Sequence, residues 1–260
     1  MPKKILAVQR ISKLGWKRDL PDPRDHKLNI TKQAVLPSSV DLRPSMPAVY
    51  DQSDLGSCTS NAVAGLAQFL MKKWWKTPTA NFIPSRLFLY YNQRVIEGTV
   101  GVDAGSSLRT AMKVVQSVGC PHESFWGYDT SKFTTKPPGS VYFDAKSHKL
   151  KSYQSINQDH DSICSMLASG YPIVFGFAAF EELETSQVAQ SGVIPMPGSS
   201  SESIGGHAIA LAGYDEPSKL FLIRNSWGAG WGKSGYATMP YDYVLSGDLA
   251  ADFWTAHTIF

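Results

Sequence analysis

The sequence predicts an α+β fold in two lobes. Helical periodicity dominates the first half of the chain, and short apolar strands bordered by glycine dominate the second. A Lys-Pro-Pro-Gly punctuation at 136–139 separates the two regimes. With 260 residues the chain can bury a substantial core, as one large domain or as two lobes. It has no internal repeat and no apolar run long enough to span a membrane.

Residues 1–36 carry nine Lys/Arg against three Asp/Glu, a net +6, whereas the remainder carries sixteen against nineteen, a net −3. The basic character therefore belongs to this segment and not to the body. It lacks the aromatic interleaving or repeat of a binding module, so no nucleic-acid partner is expected. Its stretch 15–26 is rich in proline and charge and reads as extended rather than helical. The apolar run at 5–8 is too short for a signal-peptide core. With few cysteines as well, the expectation is a protein that stays intracellular or is released by a non-classical route.

The first lobe, about 50–135, is organised by the stretch 52–61, which places Cys58 where a polar, Gly56-containing loop turns into a helix. Beyond it Val63, Leu66, Ala67, Leu70, Met71 and Trp74 recur at three- and four-residue steps, predicting an amphipathic helix. A thiol in a first helical turn meets unpaired N–H groups and the positive end of the dipole, which favour the nucleophilic thiolate. The same cysteine could equally be a small buried hydrophobe. A second helix is predicted over 84–94, opened by Pro84 and with a core-facing aromatic and Leu surface. The loop 101–107 follows, then a helix over 108–118 stopped by Gly119.

The second lobe, about 140–260, should be β-rich. A short helix over 161–169 precedes a buried strand over 171–177, and the serine-rich stretch 197–203 reads as a mobile loop. Two glycine-bordered apolar segments then read as strands, with His207 opening the first and Asn225 closing the second. Antiparallel pairing could bring these two side chains together. The tail 242–255 carries no interpretable motif. His26, His122, His148, His160 and His257 have polar or loop surroundings and no spaced partners, so no metal site and no cofactor are expected.

A cysteine followed about 150 positions later by a histidine, then by an asparagine, is the order of papain-type nucleophiles. With these motifs in order from about Pro37 to Tyr236, the chain resembles a papain-like cysteine protease of the papain/cathepsin family. The resemblance implies a helical left lobe, an antiparallel β-barrel-like right lobe and an active site in the cleft between them. It implies Cys58 as nucleophile, His207 as general base, Asn225 as the residue orienting the imidazole, and Gln52 as side-chain oxyanion donor. Trp227, in the Asn-Ser-Trp-Gly motif, takes the place of the tryptophan that shields the His–Asn contact. Gly105, with Ser106 beside it, takes the place of a loop that binds substrate backbone; Gly206 and Trp227 complete the candidate substrate-binding set. Residues 37–260 are then the catalytic domain, with 1–36 a short pro-region or an arm anchored by Trp16 and Leu20. That arm either blocks the cleft or only stabilises the body.

The departures from the family pattern are Leu55 for a disulfide cysteine, Thr59 for an aromatic, and Gly206 for Asn or Asp before the histidine. If Cys58 is catalytic, at most one disulfide remains, between Cys120 and Cys164, and two reduced packed thiols are the preferred reading. The expected activity is peptide-bond hydrolysis through a thioester acyl-enzyme, acting as a monomer on a peptide or protein substrate. The rival readings are acyl transfer to an amine through the same thioester and a catalytically silent binding protein. The expected partners are substrate and the chain's own N-terminal segment, with no membrane partner.

Overall fold

The computed structural model describes residues 14–30, 35–75 and 82–260; the apolar run at 5–8 lies outside the described residues. Helices α1 (Cys58–Trp74), α2 (Arg86–Glu97) and α3 (Leu108–Ser117) build one lobe. The caps follow from local chemistry. Ser85 Oγ accepts the N–H of Phe88 at the start of α2, and Gly98, at φ 69°, ends it. Ser107 caps α3 in the same way through Thr110 N at 3.2 Å.

Helix α1 is not amphipathic in its setting: every residue from Cys58 to Met71 is buried. Its sequence also carries polar residues, and these find partners. Gln93 Nε2 donates to Thr59 Oγ1 at 2.9 Å, Ser60 Oγ donates to Ser57 O at 2.8 Å, and Tyr50 OH donates to Gln68 at 2.5 Å. A central helix enclosed on both sides is the consequence.

The second lobe is a seven-stranded antiparallel sheet ordered β2 (Gln154–Ser155), β7 (Ala250–Thr255), β3 (Ile173–Phe180), β4 (Ser203–Asp215), β5 (Leu220–Arg224), β6 (Tyr236–Pro240). Strand β1 (Ser39–Asp41) pairs with β4 outside that path. The path runs from β2 to β6 as an open sheet. Its faces alternate as the pleat requires. Ala208, Ala210 and Ala212 face the cluster around α1, while Ile209 and Leu211 join Phe175, Phe221 and Phe253 on the other side. The small alanines let α1 approach β4 closely, and this seam carries the candidate site.

One sequence expectation changes, and three segments gain definition. His207 is the fifth residue of β4 and does not open it, because Gly205 and Gly206 pair with Ala179 and Ala178. The Lys-Pro-Pro-Gly punctuation leads straight into α4 (Gly139–Ala145). The tail contains α7 (Tyr241–Leu245) and then β7, a strand inside the sheet. The serine-rich stretch makes a turn in which Ser201 Oγ binds Gly198 N at 2.8 Å and also Glu182. Between α4 and β4 lie α5 (His160–Ala168) and α6 (Ser186–Ser191). Among the described residues no helix is long and apolar enough to cross a membrane.

Candidate active site

The thiol of Cys58 sits at the first residue of α1, fully buried. The turn before it is fastened from several sides. Ser57 Oγ meets Tyr128 OH at 2.5 Å, Tyr128 OH reaches Gln52 O at 2.9 Å, and Gly56 N donates to the Asp103 carboxylate at 3.0–3.2 Å. Tyr90 OH bonds the same carboxylate and receives Gly105 N at 3.0 Å, so the loops carrying Cys58 and Gly105 are braced as one unit.

The strand side supplies the imidazole. His207 Nε2 lies 2.8 Å from Asn225 Oδ1, which also accepts Ser226 N at 2.8 Å. The amide oxygen therefore faces the ring, making Nε2 the N–H and leaving Nδ1 as the basic nitrogen. Nδ1 is buried without a hydrogen-bond partner, and the N–H of the next residue, Ala208, lies beside the Cys58 sulfur. Trp227 stacks over the ring at 5.0 Å and 33°, and Phe177 closes the other flank at 5.7 Å. Gln52 is tied in by its backbone N–H to Ser226 O at 2.9 Å, its Oε1 to Ser226 Oγ at 2.6 Å, and its Nε2 to Leu55 O at 2.9 Å. The four residues singled out from the sequence are thus brought to one seam.

Residues 14–19 lie over this seam. Ser106 N donates to Gly15 O at 2.8 Å, Lys17 N to Ser106 O at 3.0 Å, and Trp16 N to Gly206 O at 3.0 Å. The arm is thereby laced to both lips of the cleft. The approach is close: a Cβ on Gly15 would come within 1.9 Å of Gly56 O, and one on Gly105 within 2.1 Å of Gly15 O. Trp16 Nε1 donates to Asp252 Oδ2 at 3.0 Å, while Asp19 accepts Trp254 Nε1 at 2.9 Å. Arg109 clasps Asp25 through Nη2 at 2.6 Å. Trp16 acts as an anchor, but Leu20 does not, being 81% exposed.

Burial beneath this cover changes the acid–base state. The Cys58 thiol is pushed up to about 11 because burial penalises the thiolate more than the backbone groups of Ala208 and Gly15 relieve it. The His207 imidazole is pushed down to about 4 by the same loss of solvent, against the Asn225 hydrogen bond that favours its charged form. The helix-terminus argument predicted an activated thiolate. In the covered cleft, loss of solvent works against it, disfavouring the charged forms of both groups.

All three cysteines are free and buried, so Cys120 and Cys164 do not pair. His148 packs on Phe82 at 4.5 Å and on Trp75 at 5.5 Å. Among the described residues, metal-capable atoms of His160, Cys164 and Glu216 lie within 4.8 Å of one another. Their Glu216 already receives His160 Nε2 at 2.5 Å, Lys219 Nζ at 2.7 Å and Tyr241 OH at 3.1 Å, a hydrogen-bonded network with an ammonium in it. His160 therefore has the partners that the sequence reading denied it. Asp103, Asp19 and Asp252 were also missed.

Comparison with known proteins agrees with this geometry. The model of the family described as "Papain family cysteine protease" matches residues 36–250. The chain is 38% identical over 266 residues to an uncharacterized peptidase C1-like protein of Acanthamoeba polyphaga mimivirus, covering 92% of this chain and 85% of that one. It is 25% identical over 239 residues to ananain of Ananas comosus, covering 84% of this chain but 63% of that relative's length. Among solved structures, xylellain, a cysteine protease from Xylella fastidiosa, aligns with a TM-score of 0.90 at 38% identity over 98% of this chain and 100% of that one. Procathepsin L 3 of the Tenebrio molitor larval midgut, at 18% identity and a TM-score of 0.69 over 95% of this chain and 76% of that one, shares the fold.

Proposed function

The chain belongs to the papain family of cysteine proteases, and we propose that Cys58 is the nucleophile of a cleft that the chain's own N-terminal arm keeps shut. As a cysteine peptidase it is a hydrolase acting on peptide or protein substrate. The observation that carries the residue roles is the 2.8 Å contact of His207 Nε2 with Asn225, which orients the basic Nδ1 within one residue of the sulfur's neighbour Ala208.

In this reading the Cys58 proton passes to His207 Nδ1 as sulfur attacks the substrate carbonyl carbon. The oxyanion meets the Cys58 backbone N–H at the start of α1 and the Gln52 side-chain amide. Losing one such donor typically costs ~10²–10³ in rate. His207 returns its proton to the leaving amine as the C–N bond breaks. Water, deprotonated by His207, then hydrolyses the thioester. Asn225 holds the ring, with Trp227 stacked on it away from solvent.

The arm takes the backbone hydrogen bonds of Ser106 and Gly206 that a substrate would need, and burial beneath it disfavours the charged forms of thiol and imidazole. Both effects support autoinhibition. The chain continues on both sides of Gly15, so the cleft admits an internal stretch of polypeptide, which supports endopeptidase action. Turnover of a fluorogenic peptide tests the reading. Trp16→Ala should raise the rate of the full-length chain, and Cys58→Ala should abolish it in either background. Equal rates with and without the thiol would overturn it.

A further inference from the structure

Away from the cleft, metal-ligating atoms converge where α5, the β4–β5 turn and α7 meet. His160 and Cys164 stand four residues apart in α5, a spacing that puts both side chains on one face of the helix. Glu216 follows β4 directly and brings its carboxylate to the same point. His160 Nε2 lies 2.5 Å from Glu216 Oε1, and one ligand atom from each of the three residues lies within 4.8 Å of the others. Imidazole nitrogen, thiolate sulfur and carboxylate oxygen together make a donor set that suits zinc. The helical pair was visible in the sequence; the third donor, which folding brings from the end of β4, was not.

What separates this cluster from an ordinary ion pair is its outer layer. His160 Nδ1 lies 3.1 Å from Asp161 Oδ1, which leaves Nε2 as the nitrogen facing the cluster. Lys219 Nζ holds the other Glu216 oxygen, Oε2, at 2.7 Å, so the ammonium steers the carboxylate and leaves Oε1 to the cluster. Tyr241 OH, at the start of α7, donates to Oε1 at 3.1 Å and lies beside the Cys164 thiol. A carboxylate on the far nitrogen of a histidine, and a donor on the far oxygen of a carboxylate, are the partners that orient ligands toward a metal. Cys164 is fully buried while His160 is half-exposed, so an ion has a path past the imidazole.

We propose that His160 Nε2, Cys164 Sγ and Glu216 Oε1 bind one zinc ion, with water as the fourth ligand. Zinc bonds of about 2.0–2.3 Å at tetrahedral angles hold neighbouring donors roughly 3.3–3.8 Å apart. The short His160–Glu216 contact therefore opens and the widest separation closes, each by about 1 Å. As the metal–sulfur bond forms, the thiol proton leaves to solvent, and any proton on His160 Nε2 leaves with it. One thiolate and one carboxylate then balance the two charges of the ion. Glu216 stands nine positions beyond His207 along β4, roughly 30 Å of extended chain, so the ion is structural and takes no part in the chemistry of the cleft. It ties α5 and α7 to the far end of the sheet, and the inference stands apart from the peptidase reading.

The test uses the full-length chain carrying Cys58→Ala, which takes the thiol beside His207 out of contention. Cobalt(II) titrated at neutral pH into chelator-treated protein should give a thiolate-to-cobalt charge-transfer band in the near ultraviolet. The band should saturate at one ion per chain and be bleached by zinc. Cys164→Ser should abolish it, and Glu216→Gln should weaken cobalt binding about tenfold or more. Zinc at a hundred times its dissociation constant should raise the Tm by roughly 5 °C or more. Should Cys164→Ser fail to fold, Glu216→Gln and His160→Ala decide, each through the same loss of affinity. Binding without the charge-transfer band is an adventitious ion only and overturns the proposal. A band that survives Cys164→Ser, an affinity indifferent to Glu216→Gln, or no binding at all overturns it as well.

Discussion

The arm at residues 14–30 and the body beneath it are held by different forces. The body is closed by apolar packing: α1 and its cluster cover one face of the sheet, and Phe175 stacks on Phe253 at 5.2 Å on the other. The arm contributes only partly buried apolar side chains, Leu14, Trp16, Leu28 and Ile30. Its attachment is otherwise a set of polar clasps, among them Trp16 to Asp252, Asp19 to Trp254, and Asp25 to Arg109. Polar contacts near solvent exchange readily for water, whereas a packed core does not. On this contrast rests the proposal that the cover leaves while the cleft beneath it stays folded.

The sharpest consequence lies at the seam between the two. With the proposed general base removed, His207→Ala should lower kcat by a factor on the order of 10⁶, by analogy with measured serine triads, while the cleft stays folded. A loss below about tenfold would detach this histidine from the chemistry. Next comes the contrast in stability. Phe175→Ala empties a fully buried site and should cost about 3–5 kcal/mol in denaturant unfolding. Trp16→Ala should cost less, because the arm can detach without opening a core. The reverse order would make the arm part of the body.

The covered thiol gives the comparison a pH readout. Burial raises the thiol pKa more than the arm's Gly15 backbone relieves it, and the proposed cover adds to that burial. The midpoint of Cys58 alkylation should therefore move down from about 11 when Trp16→Ala uncovers the site. An unchanged midpoint would mean that the arm does not desolvate the thiol. At the small end, Arg24 and its partner Asp22 form an ion pair on the outer side of the arm, with Arg24 87% exposed. Arg24→Ala should change stability by no more than about 0.5 kcal/mol.

Much of this was legible from local signals. The helices announced themselves through spacing and signals such as Pro84 and Gly119, and Cys58, His207, Asn225 and Gln52, which the fold gathers at one seam, were singled out by short motifs in order. The tail was not legible. In β7 the residues Ala250, Ala251, Phe253 and Trp254 are buried on both sides of the strand, which erases the alternation that reveals a half-exposed one. Asp252 was opaque for a different reason: it acquires meaning from Trp16, 236 positions away. Desolvation at the site was not legible either: helix position is a local property, whereas the burial that opposes ionisation there involves a distant segment folding back.

Labelling with an epoxysuccinyl thiol-protease inhibitor, followed by intact mass and peptide mapping, tests most directly the claim of one reactive thiol under a removable cover. The expected result is a single adduct on Cys58, none on Cys120 or Cys164, formed faster in the Trp16→Ala chain than in the intact one. An adduct on another cysteine, or a rate indifferent to Trp16, would contradict it.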